Sequence, residues 1–255
     1  MKTYPILAVL LLLAACGSGS GSGKPAASTT PSDALVRSGA QCPDLSQEWK
    51  QVRFTDPDDT SIAGVELGSG TTGVVLAHQN VSNVCEWLPY GKKLAARGYH
   101  VLAFDFAGEG ASEPHHGSSR LEDDVVSAVH FLNADKVVLM GGSKGGTACL
   151  VAATMLTPQP AAVISLSGPT VFQGIDAGAA VPKLTSPVLY LDSQDDSPFT
   201  ENAQSLYDAT PATDDRSIFL AVGGEHGVSL FYGAQADEIN ARIDKILAAH
   251  APPTK

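Results

Sequence analysis

The 255-residue chain carries 16 Lys+Arg against 27 Asp+Glu, a formal net charge of −11. That balance excludes nucleic acid as the main partner, because phosphate binding needs a basic surface. With 44% hydrophobic residues there is enough apolar material for a sizeable core, so wholesale disorder is excluded, and four cysteines are too few for a disulfide scaffold.

Met1, Lys2 and Thr3 precede an apolar run from about Ile6 to Leu13. The run is too short to span a ~30 Å hydrocarbon core and has the length of a signal-peptide apolar region. It ends in Leu13-Ala14-Ala15-Cys16, which resembles a bacterial lipobox. The resemblance implies a signal peptide over residues 1–15, lipidation of Cys16, and an extracytoplasmic protein anchored to the bacterial cell membrane through its lipid. An ordinary signal peptide with an incidental cysteine is the alternative. Residues 16–40 begin with a Gly/Ser repeat and continue rich in Ala, Ser, Thr and Pro. Such a stretch has little to bury and loses much entropy on ordering, so it reads as a tether. The folded domain is expected over residues 41–255.

Within that domain, residues 51–55 and 62–67 flank Asp56-Pro57-Asp58-Asp59, a strong turn signal, and predict an N-terminal hairpin. Short apolar runs follow at 72–77, 101–104, 137–140, 162–166, 188–191 and 218–222. Continuous runs of this length are what parallel strands buried on both faces look like. Helical patterns separate them. Asn83 with Glu86 and Ser119 with Glu122 predict capping boxes, Gly98 a helix stop, residues 200–207 a short helix, and Ile239, Ile243, Ile246 and Leu247 the apolar stripe of the last helix. The alternation predicts an α/β fold with a doubly wound, mostly parallel sheet.

Between the strand ending at Met140 and the next helix lies Gly141-Gly142-Ser143-Lys144-Gly145, a G-x-S-x-G pattern. The spacing has a steric reason. The serine occupies a sharp, strained turn that lifts its Oγ above the sheet edge, and bulky neighbours would clash there.

With that motif in that context, the chain resembles the α/β-hydrolase family, whose triad runs serine, acid, histidine. The resemblance implies Ser143 as nucleophile and His226, in Gly223-Gly224-Glu225-His226-Gly227, as the general base. Asp196 stands at the family's aspartate position and is favoured as the acid, with Asp195 as the alternative. The oxyanion hole is expected from the backbone N–H of Lys144 and from the His78-Gln79-Asn80 segment, where Asn80 matches the donor position and Gln79 replaces the family's glycine, so the donor stays open between the two. His78 is expected to brace its loop, and His115 and His116 to be solvated. The family often carries an arginine in its Asp-x-Arg-Gly-x-Gly-x-Ser segment. Asp105-Phe106-Ala107-Gly108 lacks it.

About twenty small, turn-rich residues separate residues 162–166 from Pro187, so no cap domain fits and the site is expected to be open. Lys144 beside the nucleophile reads as a solvated, carboxylate-paired lysine, or as a contact for an anionic substrate group. Cys42 and Cys85 are a possible disulfide, permitted in an oxidising compartment, and Cys149 reads as a small core residue. No Cys/His cluster has zinc-site spacing, so no metal is expected, and the triad chemistry needs no cofactor. These readings predict hydrolysis of small-molecule carboxylic esters through an acyl-enzyme. Acyl transfer, thioester or amide hydrolysis on the same triad, and a non-catalytic surface binding protein that kept the fold, are the alternatives.

Overall fold

In the computed structural model, residues 42, 49–212 and 215–253 are described. The expected signal peptide, Cys16 and the tether over 16–40 lie outside the described residues. Strands β1 (Lys50–Thr55) and β2 (Ser61–Leu67) pair as the expected antiparallel hairpin, Lys50 opposite Glu66 and Thr55 opposite Ser61. Asp56 closes the turn, its Oδ1 accepting from the N–H groups of Asp58 at 2.9 Å and Thr60 at 2.8 Å.

The chain continues through β3 (Thr72–Ala77), α1 (Leu88–Ala96), β4 (His100–Phe104), α2 (Leu121–Leu132), β5 (Lys136–Gly142), α3 (Lys144–Met155) and β6 (Ala162–Leu166). Then come a two-stranded hairpin, β7 (Val171–Phe172) and β8 (Ile175–Asp176), and the short helix α4 (Ala177–Ala180). The domain closes with β9 (Val188–Ser193), α5 (Phe199–Ala209), β10 (Arg216–Ala221) and α6 (Ala236–His250). Eight strands form one sheet in the order β1-β2-β4-β3-β5-β6-β9-β10. Its pairs are antiparallel at β1–β2 and β2–β4 and parallel elsewhere. This is the doubly wound, mostly parallel architecture with an N-terminal antiparallel hairpin that the apolar runs predict.

Alternation along the central strands sends side chains into two cores. Val74, Leu76, Val138, Met140 and Ile164 pack with Leu94 of α1 and with Ile239 and Ile243 of α6. Val75, Leu139 and Val163 pack on the other face with Val125 of α2, Ala148 of α3 and Leu206 of α5. Both faces are dry, which is why these strands read as unbroken apolar runs.

Two helix starts differ from the sequence reading. The Asn83 side chain accepts from Cys85 N–H at 3.0 Å and caps a 3-10 turn over Val84–Trp87, but Glu86 does not complete a capping box. Its carboxylate turns instead to the 78–82 loop. Before α2 the reciprocal contact shifts by one residue: Arg120 N–H donates to Asp123 Oδ2 at 2.9 Å, while Ser119 N–H goes to Asp58 Oδ2.

The order β4-β3-β5 places a topological switch point at β3 and β5, where the chain reverses its direction of travel across the sheet and a crevice opens at the strand C-termini. Cys42 and Cys85 are joined by a disulfide closing a 43-residue separation. Chain-entropy arithmetic for a loop of that length gives about 4 kcal/mol as the upper range of its stabilisation. Replacing both cysteines by serine is therefore expected to lower the urea-unfolding free energy by a few kcal/mol. An unchanged midpoint would show that the bond constrains little.

Candidate functional site

Ser143 sits alone between β5 and α3 with φ 49° and ψ −118°, a left-handed conformation that costs a non-glycine residue energy. The surroundings force it. A Cβ on Gly141 would lie 2.2 Å from the Gly145 carbonyl carbon, and one on Gly145 would lie 2.3 Å from Ala77 O. Only bare backbone lets α3 start this close to β3 and β5. Ser143 N–H donates to Leu166 O at 2.7 Å, fixing the turn to β6. The first-turn N–H groups of α3 lack intrahelical partners and point towards this end of the sheet.

Ser143 opens into a cleft of about 370 Å³ that it shares with Gln79, Asn80, Pro169, Val171, Phe172, Phe199 and His226. His226 follows β10, and its Nδ1 lies 2.7 Å from Asp196 Oδ2. With that nitrogen donating to the carboxylate, Nε2 is the one left free to accept. The Phe199 ring lies 4.2 Å from the imidazole, centroid to centroid, and backs it. Asp196 is held from behind, its carbonyl accepting from Phe199 N–H at 2.7 Å at the start of α5. Asp195 is exposed, and its backbone N–H goes to Gly223 O at 2.9 Å. Of the two adjacent aspartates, only Asp196 meets the histidine.

After β3 the 78–82 loop is clamped. Gln79 N–H donates to Glu86 Oε1 at 2.7 Å, and Ser82 Oγ donates to Glu86 Oε2. The Gln79 N–H is thus committed, while Asn80 borders the cleft. Burial pushes the Glu86 carboxyl up to about 7, against the pull of its hydrogen bonds. His78 is fully buried. Its Nε2 accepts from Phe106 N–H at 3.1 Å, so Nδ1 carries the proton and donates to Gln79 O at 2.8 Å. Burial and the nearby Lys144 charge hold its pKa down to about 3, which keeps it a neutral brace.

Lys144 keeps the expected carboxylate partner but is not solvated. Its side chain has no exposed surface, is ion-paired with Glu109 and lies over the Phe106 ring with Nζ 5.0 Å from the centroid. Its side chain is neither solvated nor presented to the cleft. His115 is not simply solvated either. It is wedged between Asp56 Oδ2, 3.2 Å from Nδ1, and Asp124 Oδ2, 3.9 Å from Nε2. Among the described residues these three are the one group with potential metal-ligand geometry. Their positions are scattered along the chain, so no spacing pattern announces them. The imidazole lies between the two buried carboxyl groups, in hydrogen-bonding reach of Asp56 only. Cys149 is fully buried, and burial pushes its thiol upward, away from reactivity.

These buried groups set a pH dependence of stability. Glu86 holds its proton more tightly folded than unfolded, so its contribution is full below its ordinary 4.5 and is lost as pH rises towards about 7. Asp124 and Asp192, also raised by burial, add losses of the same sign. His78 runs the other way: the unfolded chain binds its proton more tightly, so stability rises with pH from about 3 and that gain is complete above its ordinary 6.5. Above that point these four groups contribute only losses, set against a gain from Lys144, whose pKa burial lowers. The urea midpoint is expected to fall from pH 6.5 to about pH 8, and Glu86→Gln to make the fall shallower. A midpoint that rises over this window would contradict the assignment.

Known proteins share this architecture. The chain resembles the esterase Pf2001 of Pyrococcus furiosus with a TM-score of 0.69 and 18% identity, over 82% of this chain and 93% of that one. It resembles a membrane phospholipase A, titled a novel bacterial virulence factor, with a TM-score of 0.67 and 16% identity, over 85% and 92%. The esterase RhEst1 of a Rhodococcus species matches with a TM-score of 0.66 and 17% identity, over 77% and 98%. At these identities the likeness is one of fold. In sequence, the chain is 30% identical over 110 residues to the uncharacterized protein YfhR of Escherichia coli K12, a stretch spanning 38% of this chain and only 39% of that relative. The model of the alpha/beta hydrolase family matches residues 74–249, well over half of the chain, and the chain belongs to that family.

Proposed function

We propose that the chain is a serine hydrolase that cleaves carboxylic esters through an acyl-enzyme. The observation that carries this reading is one cleft holding both Ser143, on its strained strand–helix turn, and His226, whose Nδ1 lies 2.7 Å from the Asp196 carboxylate. Ser143 Oγ attacks the ester carbonyl while His226 Nε2 takes its proton. Asp196 holds the ring in the tautomer that leaves Nε2 free and stabilises the imidazolium that forms. The proton then goes to the leaving alkoxide, and water, activated by the same nitrogen, hydrolyses the acyl-enzyme. The developing oxyanion is met by the backbone N–H of Lys144 and, since Glu86 occupies the Gln79 N–H, by that of Asn80.

The cleft favours small, apolar acyl groups. Pro169, Val171, Phe172 and Phe199 supply its apolar walls, and the β7–β8 hairpin is the only structure between β6 and α4 that overhangs it among the described residues. Esterase activity of the Pyrococcus and Rhodococcus neighbours agrees with this substrate class. The enzyme works outside the cytoplasm, held to the membrane by lipid on Cys16. Leu13-Ala14-Ala15-Cys16 supports this part of the reading, and Cys16→Ser is expected to move the protein from the membrane to the soluble fraction.

A fluorophosphonate probe is expected to label the wild type but not Ser143→Ala. Asp196→Asn should lower kcat roughly 10³–10⁴-fold, with p-nitrophenyl acetate or butyrate as substrate, while Asp195→Asn stays near wild type. Wild-type protein that takes no label overturns the catalytic reading.

A further inference from the structure

Three segments that are far apart in the chain meet at His115. Asp56 belongs to the β1–β2 turn, His115 to the loop between β4 and α2, and Asp124 to the first turn of α2. Asp56 Oδ2 lies 3.2 Å from His115 Nδ1, and Asp124 Oδ2 lies 3.9 Å from Nε2. One potential ligand atom from each of the three residues falls within 4.8 Å of the other two. Both aspartate side chains have no exposed surface, while the imidazole keeps 25% of its own.

Outer contacts already hold the carboxylates in place. Asp56 Oδ1 accepts from the N–H groups of Asp58 and Thr60, which leaves Oδ2 to face the imidazole. Asp124 Oδ2 accepts from Ala107 N–H at 2.9 Å. The rest of Asp124 is not accounted for. Its 3.9 Å separation from His115 is too long for a hydrogen bond, and its Oδ1 is buried with no hydrogen-bond partner among the described residues. A buried carboxylate oxygen left without a donor is costly. The only ion-pair partner of either carboxylate among the described residues is His115. Even as an imidazolium, His115 cancels one of the two charges. A divalent cation cancels both, with the imidazole neutral and a nitrogen lone pair on the metal.

We propose that Asp56, His115 and Asp124 form a binding site for a divalent transition-metal ion of the zinc class, with one imidazole nitrogen and two carboxylate oxygens as ligands and water completing the shell. Mixed imidazole and carboxylate donors suit zinc. Calcium, which takes about six to eight oxygens, is poorly served by this set. Zinc–ligand distances of about 2.0–2.2 Å put tetrahedral ligand atoms about 3.4 Å apart, so the widest gap closes by at most about 1.4 Å on binding. His115, on a loop and partly exposed, is the member placed to make that adjustment, and its open side is the way in for the ion. The spacing pattern of zinc sites asks for Cys and His close in sequence, and this set escapes it. None of the three residues borders the Ser143 cleft, so the metal takes no part in the proposed hydrolysis. It staples the loop to the β1–β2 turn, alongside Glu113 N–H on Ser61 O at 2.9 Å and Ser119 N–H on Asp58 Oδ2 at 2.6 Å. That loop also carries Glu109, the partner of Lys144.

Untagged, chelator-treated protein titrated calorimetrically with zinc chloride is expected to bind one ion per chain. Excess zinc should then raise the urea midpoint, because the ion binds the folded state. Cobalt(II) in place of zinc should give the visible absorption of a low-coordinate site. His115→Gln should abolish the stoichiometric binding and the cobalt band. Asp124→Asn, which keeps an oxygen for Ala107 N–H, should weaken zinc binding by about a hundredfold or more. His116→Gln, at the exposed neighbouring histidine, should leave both readouts unchanged. Wild-type protein that takes up no stoichiometric zinc overturns the proposal, and that result stands even if a variant fails to fold. A cobalt band that survives His115→Gln also overturns it, and calcium binding as tightly as zinc overturns the zinc-class assignment. None of these readouts depends on turnover, so the site is decided whether or not Ser143 takes the fluorophosphonate.

Discussion

The structure turns on a contact between backbones. Gly145, in the first turn of α3, presses so closely on Ala77 O at the end of β3 that no side-chain atom fits between them. That approach starts α3 where β5 stops and leaves Ser143 as the single residue bridging them, in a conformation it would not choose alone. It also fixes two parts of the site at once. The end of β3 leads directly into the His78-Gln79-Asn80 loop, so the hydroxyl of Ser143 and the amide of Asn80 are placed by the same steric limit. Parallel strands then do the rest, since β9 and β10 end at the same edge and deliver Asp196 and His226 to it.

Around this edge, burial decides charge. His78 is kept neutral and can brace the loop without titrating near neutrality. Lys144 is cationic but spent on Glu109, so the charge beside the proposed nucleophile is cancelled inside the protein rather than displayed at the mouth. Glu86 trades solvation for two donors from the loop it clamps. The cleft itself is left mostly apolar, walled by Phe172, Phe199 and Val171.

What was legible in the sequence followed from local physics. The G-x-S-x-G pattern is readable because its steric demand falls on residues within four positions of each other. The buried strands are readable because both faces are dry, and the order serine, acid, histidine survives because strand order preserves it. The ambiguities arise where a residue's role depends on a distant partner. Glu86 has the spacing of a capping box, but its carboxylate serves Gln79 and Ser82, and the linear pattern is the same for both uses. Asp195 and Asp196 are neighbours, and only the fold shows which one meets His226. Lys144 looks like a surface charge until Glu109, 35 residues earlier, is folded against it. His115 looks like a loop residue until Asp56, 59 residues away, closes on it.

The Cys42–Cys85 bond also has a mechanical side. β1 is an edge strand whose only strand partner among the described residues is β2. A pull on the N-terminal arm that reached the domain through β1 would unzip that hairpin one rung at a time, the weak direction for a hydrogen-bonded ladder. With the disulfide in place, the load leaves the arm at Cys42 and enters at Cys85, in the Val84–Trp87 turn packed under the sheet by Trp87 and Leu88. The bond therefore gives Cys42 a direct covalent route to the body of the fold that does not run through β1.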